Sequence, residues 1–124
     1  MDDGDAAQQA SSENALIEMA VESWRFSRVF LRLISKLDAG EGTRYVNQLR
    51  YFQKRIEESL DQVGLKLVNV EGQYFDTGVA ATALNVADFS PDDRLIINQM
   101  IEPIIMGNEG LKRQGTVMVG KVEK

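Results

Sequence analysis

The sequence offers few side chains for covalent chemistry, because its 124 residues include neither cysteine nor histidine. Their absence excludes disulfides, thiolate nucleophiles, Cys/His zinc sites and imidazole acid–base groups. Adjacent acid pairs such as Glu57-Glu58 and Asp92-Asp93 could in principle supply a general acid and a general base. Neighbouring residues on a helix point in different directions, so such a pair cannot flank one reacting bond. We expect no catalytic residue, no cofactor, no metal site and no enzymatic activity.

The charge distribution argues against a nucleic-acid partner. The formal net charge is −5, with 19 acidic and 14 basic residues, whereas affinity for a phosphate backbone comes from basic side chains. One basic series does follow helical spacing: Arg25, Arg28, Arg32 and Lys36. It could follow a phosphate backbone, but Glu18 and Glu22 lie three and four residues away, which favours a solvated, ion-paired face. Gly107-Asn108-Glu109-Gly110 matches no phosphate-binding loop and predicts a β-turn.

The amino-terminal segment predicts neither a signal peptide nor an anchor. Met1–Glu13 is acidic and rich in small residues, without the basic-then-apolar order of a signal sequence. No apolar run approaches the ~20 residues that a membrane helix needs. We expect a cytoplasmic protein with no membrane partner, whose residues 1–12 form a disordered acidic tail.

Residues 13–64 show the periodicity of two helices. The first is predicted over Asn14–Asp38, with a stripe of apolar residues at spacings of three and four: Leu16, Ala20, Phe26, Phe30, Leu33 and Leu37. Ile17, Trp24 and Leu31 recur every seven residues beside that stripe. The apolar sector therefore covers more than half of the helix, and one neighbouring helix of the same chain would not bury it. Either a partner helix or the rest of this chain must cover the second face.

A second helix is predicted over Thr43–Val63, with Ala39–Gly42 as a tight connection, Thr43 as the N-cap and Gly64 as the terminating glycine. Its stripe reads Val46, Leu49, Phe52 or Gln53, Ile56, Leu60 and Val63. Two amphipathic helices joined by a short loop form an antiparallel hairpin.

Residues 65–124 change to the alternation that is typical of strands. Leu65–Val70 and Thr116–Val119 alternate, with Val117 and Val119 predicted to point inward. The β-branched run Leu95–Met106 contains Pro103, where we expect the strand to bend or break. Helices first and strands second predict an α+β fold: a helical hairpin followed by a small β-rich module.

Several segments between Arg28 and Lys121 carry a resemblance to a known family. Val29–Asp38 is similar to an apolar helix segment ending in Leu-Asp, and Ile56–Leu67 to a helix that passes through glycine into a strand. Phe75-Asp76 matches a Phe-Asp pair, and Arg113–Lys121 matches a closing strand with an arginine before it and a lysine at its end. In these features the chain resembles the GrpE family of nucleotide-exchange factors.

The resemblance implies a fold, a dimer and a partner. In that family, protomers dimerise through a four-helix bundle, and the β module contacts the ATPase domain of a DnaK-type chaperone. It implies partner-binding roles for Arg113, Phe75 and Asp76. The expected homodimer interface comprises Trp24, Phe26, Phe30, Leu33, Leu37, Leu49, Ile56 and Leu60. Trp24 could instead anchor a different partner.

The chain also departs from the family pattern. Thr77 and Ala80 stand where Pro and His usually follow the Phe-Asp pair. Ile104-Ile105 replaces a Gly-Tyr pair, and Asn108-Glu109-Gly110 replaces an Asn-Gly-Arg turn. Two expectations therefore remain: an exchange factor, or a scaffold or assembly adaptor that keeps the fold without exchange activity.

Overall fold

The structure, a computed structural model, describes residues 3–122. It contains helices α1 (Asp3–Ile34) and α2 (Ala39–Asp61), then strands β1 (Lys66–Val68), β2 (Tyr74–Phe75), β3 (Ala81–Ala83), β4 (Leu95–Glu102), β5 (Ile104–Gly107), β6 (Gly110–Arg113) and β7 (Gly115–Lys121), with a short 3-10 turn over Val86–Asp88. The predicted α+β order, helices first and strands second, is confirmed. The chain divides into two compact units, a helical unit ending at Leu60 and a β unit beginning at Asp61.

Helix α1 begins earlier than the sequence predicts. We expected residues 1–12 to be disordered, but residues 3–12 form the first turns of α1, and residues 4–12 are exposed. Met1 and Asp2 lie outside the described residues. Alanine and glutamine are good helix formers, and extending an existing helix avoids the cost of nucleation. The segment is therefore helical without burying an apolar face.

The connection between the helices is Ser35–Asp38, not the predicted Ala39–Gly42. The Glu41 backbone N–H donates to Asp38 Oδ1 at 2.9 Å, so Asp38 caps α2. Thr43, the predicted cap, lies within the helix and donates from Oγ1 to the Ala39 carbonyl at 2.7 Å. A Cβ added at Gly42 would lie 3.6 Å from the Ile34 carbonyl oxygen, and Phe30 contacts Tyr45. Because the contact positions fall in α1 as they rise in α2, the helices are antiparallel near the turn.

The buried face of the helical unit differs from the predicted stripe. On α1 the buried residues are Ile17, Ala20, Val21, Ser27 and Ile34. On α2 they are Gly42, Leu49 and Leu60. Periodicity locates the apolar sector of a helix, but when two apolar faces adjoin it does not say which one is buried within the chain. Ser27 is small and polar, so no apolar pattern marks its position as buried.

One long hairpin organises the β unit. Strands β4 and β5 form its first arm, and β6 and β7 form its second arm. The pairs Leu95↔Lys121, Glu102↔Thr116, Ile105↔Arg113 and Gly107↔Gly110 follow the hairpin from its base to its turn. Pro103 interrupts the first arm, as predicted, because proline has no N–H to donate to a neighbouring strand.

Shorter strands add to each half of this hairpin. Beyond Pro103, β1 joins β5 to give a three-stranded sheet in the order β1-β5-β6. Before it, β2 joins β4 and β3 joins β7, the latter in parallel, to give a four-stranded sheet in the order β2-β4-β7-β3. The most deeply buried side chains of the unit are Leu65, Ile97, Met100, Pro103, Ile105 and Val117.

Candidate protein-binding surfaces

The helical unit leaves a second apolar face exposed, which we call the aromatic face. Its members are Met19, Phe26, Phe30, Leu33, Leu37, Tyr45 and Phe52. Met19, Phe26 and Leu33 follow one another at intervals of seven residues, so they lie along one line of α1. Their exposed fractions are 65%, 60% and 57%. These values are high for large apolar side chains on one continuous line.

Ring contacts connect the aromatic face from α1 to α2. Phe26 and Phe30 are stacked, with centroids 5.8 Å apart and planes at 14°. Phe30 meets Tyr45 edge-on, at 6.3 Å and 86°. Such pairs add about 0.5–1.5 kcal/mol beyond the area they bury. The rings therefore hold one another in a defined arrangement and present a shaped apolar surface to solvent.

The residues predicted at a dimer interface divide into exposed, half-buried and buried groups. Phe26, Leu33 and Leu37 are exposed, and Phe30 is half-buried. By contrast, Leu49 and Leu60 are already buried in the single chain.

Two more predicted interface residues, Ile56 and Trp24, are half-buried like Phe30. The Arg28 guanidinium lies over the Trp24 ring, 4.4 Å from its centroid. Sequence reasoning did not assign Tyr45 or Met19 to the interface, although intervals of seven from Phe52 and Phe26 could have identified them.

The basic series on α1 includes an ion pair of the expected kind. Arg25 Nη1 lies 3.7 Å from Glu22 Oε1, and both side chains are more than half exposed. A solvated pair at this spacing contributes only a few tenths of a kcal/mol. The pair is consistent with a solvated polar face beside the aromatic face.

In the β unit, the predicted partner-binding pair Phe75-Asp76 lines a groove of about 500 Å³, which we call the Phe75 groove. Its apolar lining is supplied by Phe75, Val86, Phe89, Pro91 and Leu95. Phe75 is half-buried and pairs with Leu95 in the β2–β4 ladder. Val86 keeps 47% of its surface exposed, so part of the apolar lining faces solvent.

Two carboxylates, Asp76 and Asp93, also line the Phe75 groove. Asp76 Oδ1 accepts from the Gly78 N–H at 2.7 Å, which closes an Asx-turn directly after β2. Asp93 Oδ2 accepts from the Ser90 N–H at 2.9 Å, and its Oδ1 lies 3.5 Å from Lys121 Nζ. Hydrogen bonds from the backbone to Asp76 and to Asp93 thus hold the loops that line the groove.

Arg113, the third predicted partner-binding residue, lies elsewhere. It ends β6 in the three-stranded sheet and pairs with Ile105, whereas Phe75 lies in the four-stranded sheet. Gln114 separates Arg113 from β7, so Arg113 does not belong to the strand of Val117 and Val119, which are buried as predicted. The structure brings Phe75 and Asp76 together but does not bring Arg113 to them.

Sequence reasoning missed the opposite wall of the Phe75 groove. It gave no binding role to Val86, Phe89 or Pro91. The signal was present: large apolar residues beside turn-forming residues often lie at a surface cleft.

The described part of the chain has neither a candidate metal cluster nor a candidate membrane-spanning helix. Residues 3–122 contain no group of three or more acidic side chains placed to hold a metal ion. Neither described helix has an apolar stretch long enough to cross a bilayer.

Comparison with known proteins gives no relative: no family model, no curated protein and no solved structure matches the chain significantly.

Proposed function

We propose that this chain is a GrpE-like co-chaperone that acts by binding proteins, without catalysis of its own. The helical unit would associate with a second copy, and the β unit would dock on a DnaK-type chaperone ATPase and promote nucleotide exchange. The single observation that carries the proposal is the aromatic face, which leaves Phe26 and Leu33 exposed on a helix whose other apolar face is already buried.

A second copy of the chain is the occupant that fits the aromatic face. Complete burial of one large apolar side chain contributes about 1.5–3 kcal/mol. Burial of Met19, Phe26 and Leu33 with their neighbours would therefore offset much of the association cost of about 4–15 kcal/mol. The a/d-like spacing on α1 suits another helix, so two hairpins would form a four-helix bundle.

Support for the docking partner comes from the sequence resemblance and from the position of the residues that carry it. Phe75 and Asp76 line an accessible groove, and Arg113 is half-buried on the outer strand of the other sheet. At a sheet edge, a guanidinium can form a two-pronged bond with a partner carboxylate. The β unit would thus offer two separate contact points on different sheets.

The proposal is tested by measuring nucleotide release from a purified DnaK-type chaperone of the same cell. The chaperone is loaded with a fluorescent ADP analogue and mixed with excess unlabelled ATP, with and without the chain. We expect the chain to accelerate release and to bind the nucleotide-free ATPase measurably by calorimetry. If the chain neither binds nor accelerates release, the proposal is wrong.

A second candidate is a scaffold or assembly adaptor with the same fold and no exchange activity. The altered positions Thr77, Ala80 and Asn108–Gly110 favour it, because they fall on motifs that the exchange-factor family uses. The same experiment separates the two functions. Binding to the chaperone without faster release supports the scaffold, and binding with faster release supports the exchange factor.

A further inference from the structure

We propose that the Phe75 groove binds a segment of a partner protein in which an apolar side chain lies next to an arginine or lysine. This inference concerns the chemistry of the groove's occupant and does not rest on the proposed chaperone partner. It follows from the shape, lining and charge of the groove.

The apolar part of the groove is suited to an inserted side chain. Its volume of about 500 Å³ falls within the range of about 300–1,000 Å³ that is typical of ligand sites. Leu95 is 8% exposed and belongs to the core of the unit, whereas Val86 is 47% exposed. An entering apolar side chain would therefore contact Leu95 and cover Val86, which water now reaches.

The wall opposite β2 is held in place before any ligand arrives. The side-chain amide of Asn85 donates to the Val119 carbonyl at 2.8 Å and accepts from the Val119 N–H at 3.0 Å. At the other end of this wall, the Asp93 N–H donates to the Ser90 carbonyl, and the Ser90 N–H donates to Asp93 Oδ2. A preformed groove loses less conformational entropy when a ligand binds.

The negative charge of the groove lining favours a ligand with a basic residue beside its inserted apolar side chain. Among the described residues, two carboxylates line the groove and no lysine or arginine does. Lys121 partly compensates Asp93. The Gly78 N–H donates to Asp76 Oδ1, and within residues 3–122 the structure gives no hydrogen-bond partner for Asp76 Oδ2. An arginine or lysine beside the inserted apolar side chain would reach Asp76 Oδ2, whereas an acidic segment would be repelled.

The test uses the full-length chain and defined peptides. Three short peptides alternate leucine with arginine, with glutamine or with glutamate, and binding is followed by fluorescence anisotropy and by NMR shifts of the isotope-labelled chain. We expect the leucine–arginine peptide to bind most tightly, to shift the amides of Phe75–Thr77 and Val86–Phe89, and to weaken with added salt.

Two substitutions, each with a control, locate the site. Asp76→Asn keeps an acceptor for Gly78 and removes the charge, so affinity should fall about fivefold, the upper range for an accessible ion pair. Glu109→Gln removes the same charge at the β5–β6 turn, outside the groove, and should change affinity less than about twofold. Val86→Ser removes apolar lining without adding charge and should also weaken binding, while Leu111→Ser, on another exposed apolar residue, should not.

Three outcomes would overturn the inference. The peptides could bind equally, the shifts could fall outside the groove, or Asp76→Asn and Glu109→Gln could act equally. The peptide assay contains no chaperone, so its result does not depend on whether the chain promotes nucleotide exchange.

Discussion

The side chain of Asn85 acts as a strand residue toward Val119. Its Nδ2 donates to the Val119 carbonyl at 2.8 Å, and the Val119 N–H donates to its Oδ1 at 3.0 Å. Strand β3 ends at Ala83, so without Asn85 the backbone of Val119 would lack these partners on its β3 side. One amide thus extends the β3–β7 pairing and fixes the chain that leads to the Phe75 groove.

Replacing Asn85 should destabilise the β unit. Asn85→Ala would leave the Val119 N–H and carbonyl without these partners, and part-buried polar groups of that kind cost about 1–3 kcal/mol. We expect the free energy of unfolding in urea to fall by that amount. Asn98→Ala, at an exposed asparagine on β4, is the control and should change it far less. Equal effects of the two substitutions would show that the bonds to Val119 contribute nothing.

Replacing Ser27 by alanine should stabilise the helical unit. Ser27 is 2% exposed, and its Oγ is a buried polar atom for which the structure gives no hydrogen-bond partner. Alanine removes that hydroxyl and has the higher helix propensity, so the free energy of unfolding should rise by roughly 1 kcal/mol. Ser23→Ala, which removes an exposed bond to the Met19 carbonyl, is the matched control. A loss of stability in Ser27→Ala alone would mean that the hydroxyl has a partner.

Gly115 should not tolerate alanine. A Cβ at this position would lie 2.9 Å from the Glu102 carbonyl oxygen and 2.9 Å from Met100 Cε. Backbone cannot move aside cheaply at the junction of the two sheets, so we expect a loss of about 1–3 kcal/mol by urea denaturation. Gly40→Ala, at an exposed position near the start of α2, should instead be neutral or stabilising. Unchanged stability of Gly115→Ala would contradict this packing argument.

Arg113→Ala should separate a binding role from a structural one. If Arg113 forms a desolvated pair with the chaperone, its removal should weaken binding by roughly 2 kcal/mol or more and change the melting temperature little. Lys112→Ala, which removes the same charge from the neighbouring exposed residue, is the control. Unchanged affinity with a lower melting temperature would make Arg113 structural.

Sequence reasoning identified the elements whose signals are local. The strand break at Pro103, the turn at Gly107–Gly110 and the terminating glycine at Gly64 each depend on one residue's backbone chemistry, and the structure contains all three. The N-cap of α2 was predicted wrongly because Asp38 and Thr43 are both acceptable N-caps in sequence. Only the folded turn selects Asp38.

Features that depend on distant contacts were less predictable. The stripe Phe26, Phe30 and Leu33 was identified as apolar, but pattern alone could not show that α1 buries Ile17, Val21 and Ile34 instead. The sequence identified Phe75 and Asp76 on one wall of the Phe75 groove but not the residues of the opposite wall. Its second wall reaches its place through the Asn85–Val119 contact, which spans 34 positions of the chain.

Dimerisation through the aromatic face is tested most directly by the mass of the protein in solution, measured by light scattering over a range of concentrations. We predict twice the mass of a single chain. Phe26→Ala with Leu33→Ala should give a folded monomer by circular dichroism, because both side chains are mostly exposed in one chain. Leu84→Ala with Leu111→Ala, at exposed leucines of the β unit, should remain dimeric. A well-folded wild-type protein with the mass of one chain at every concentration would contradict the account.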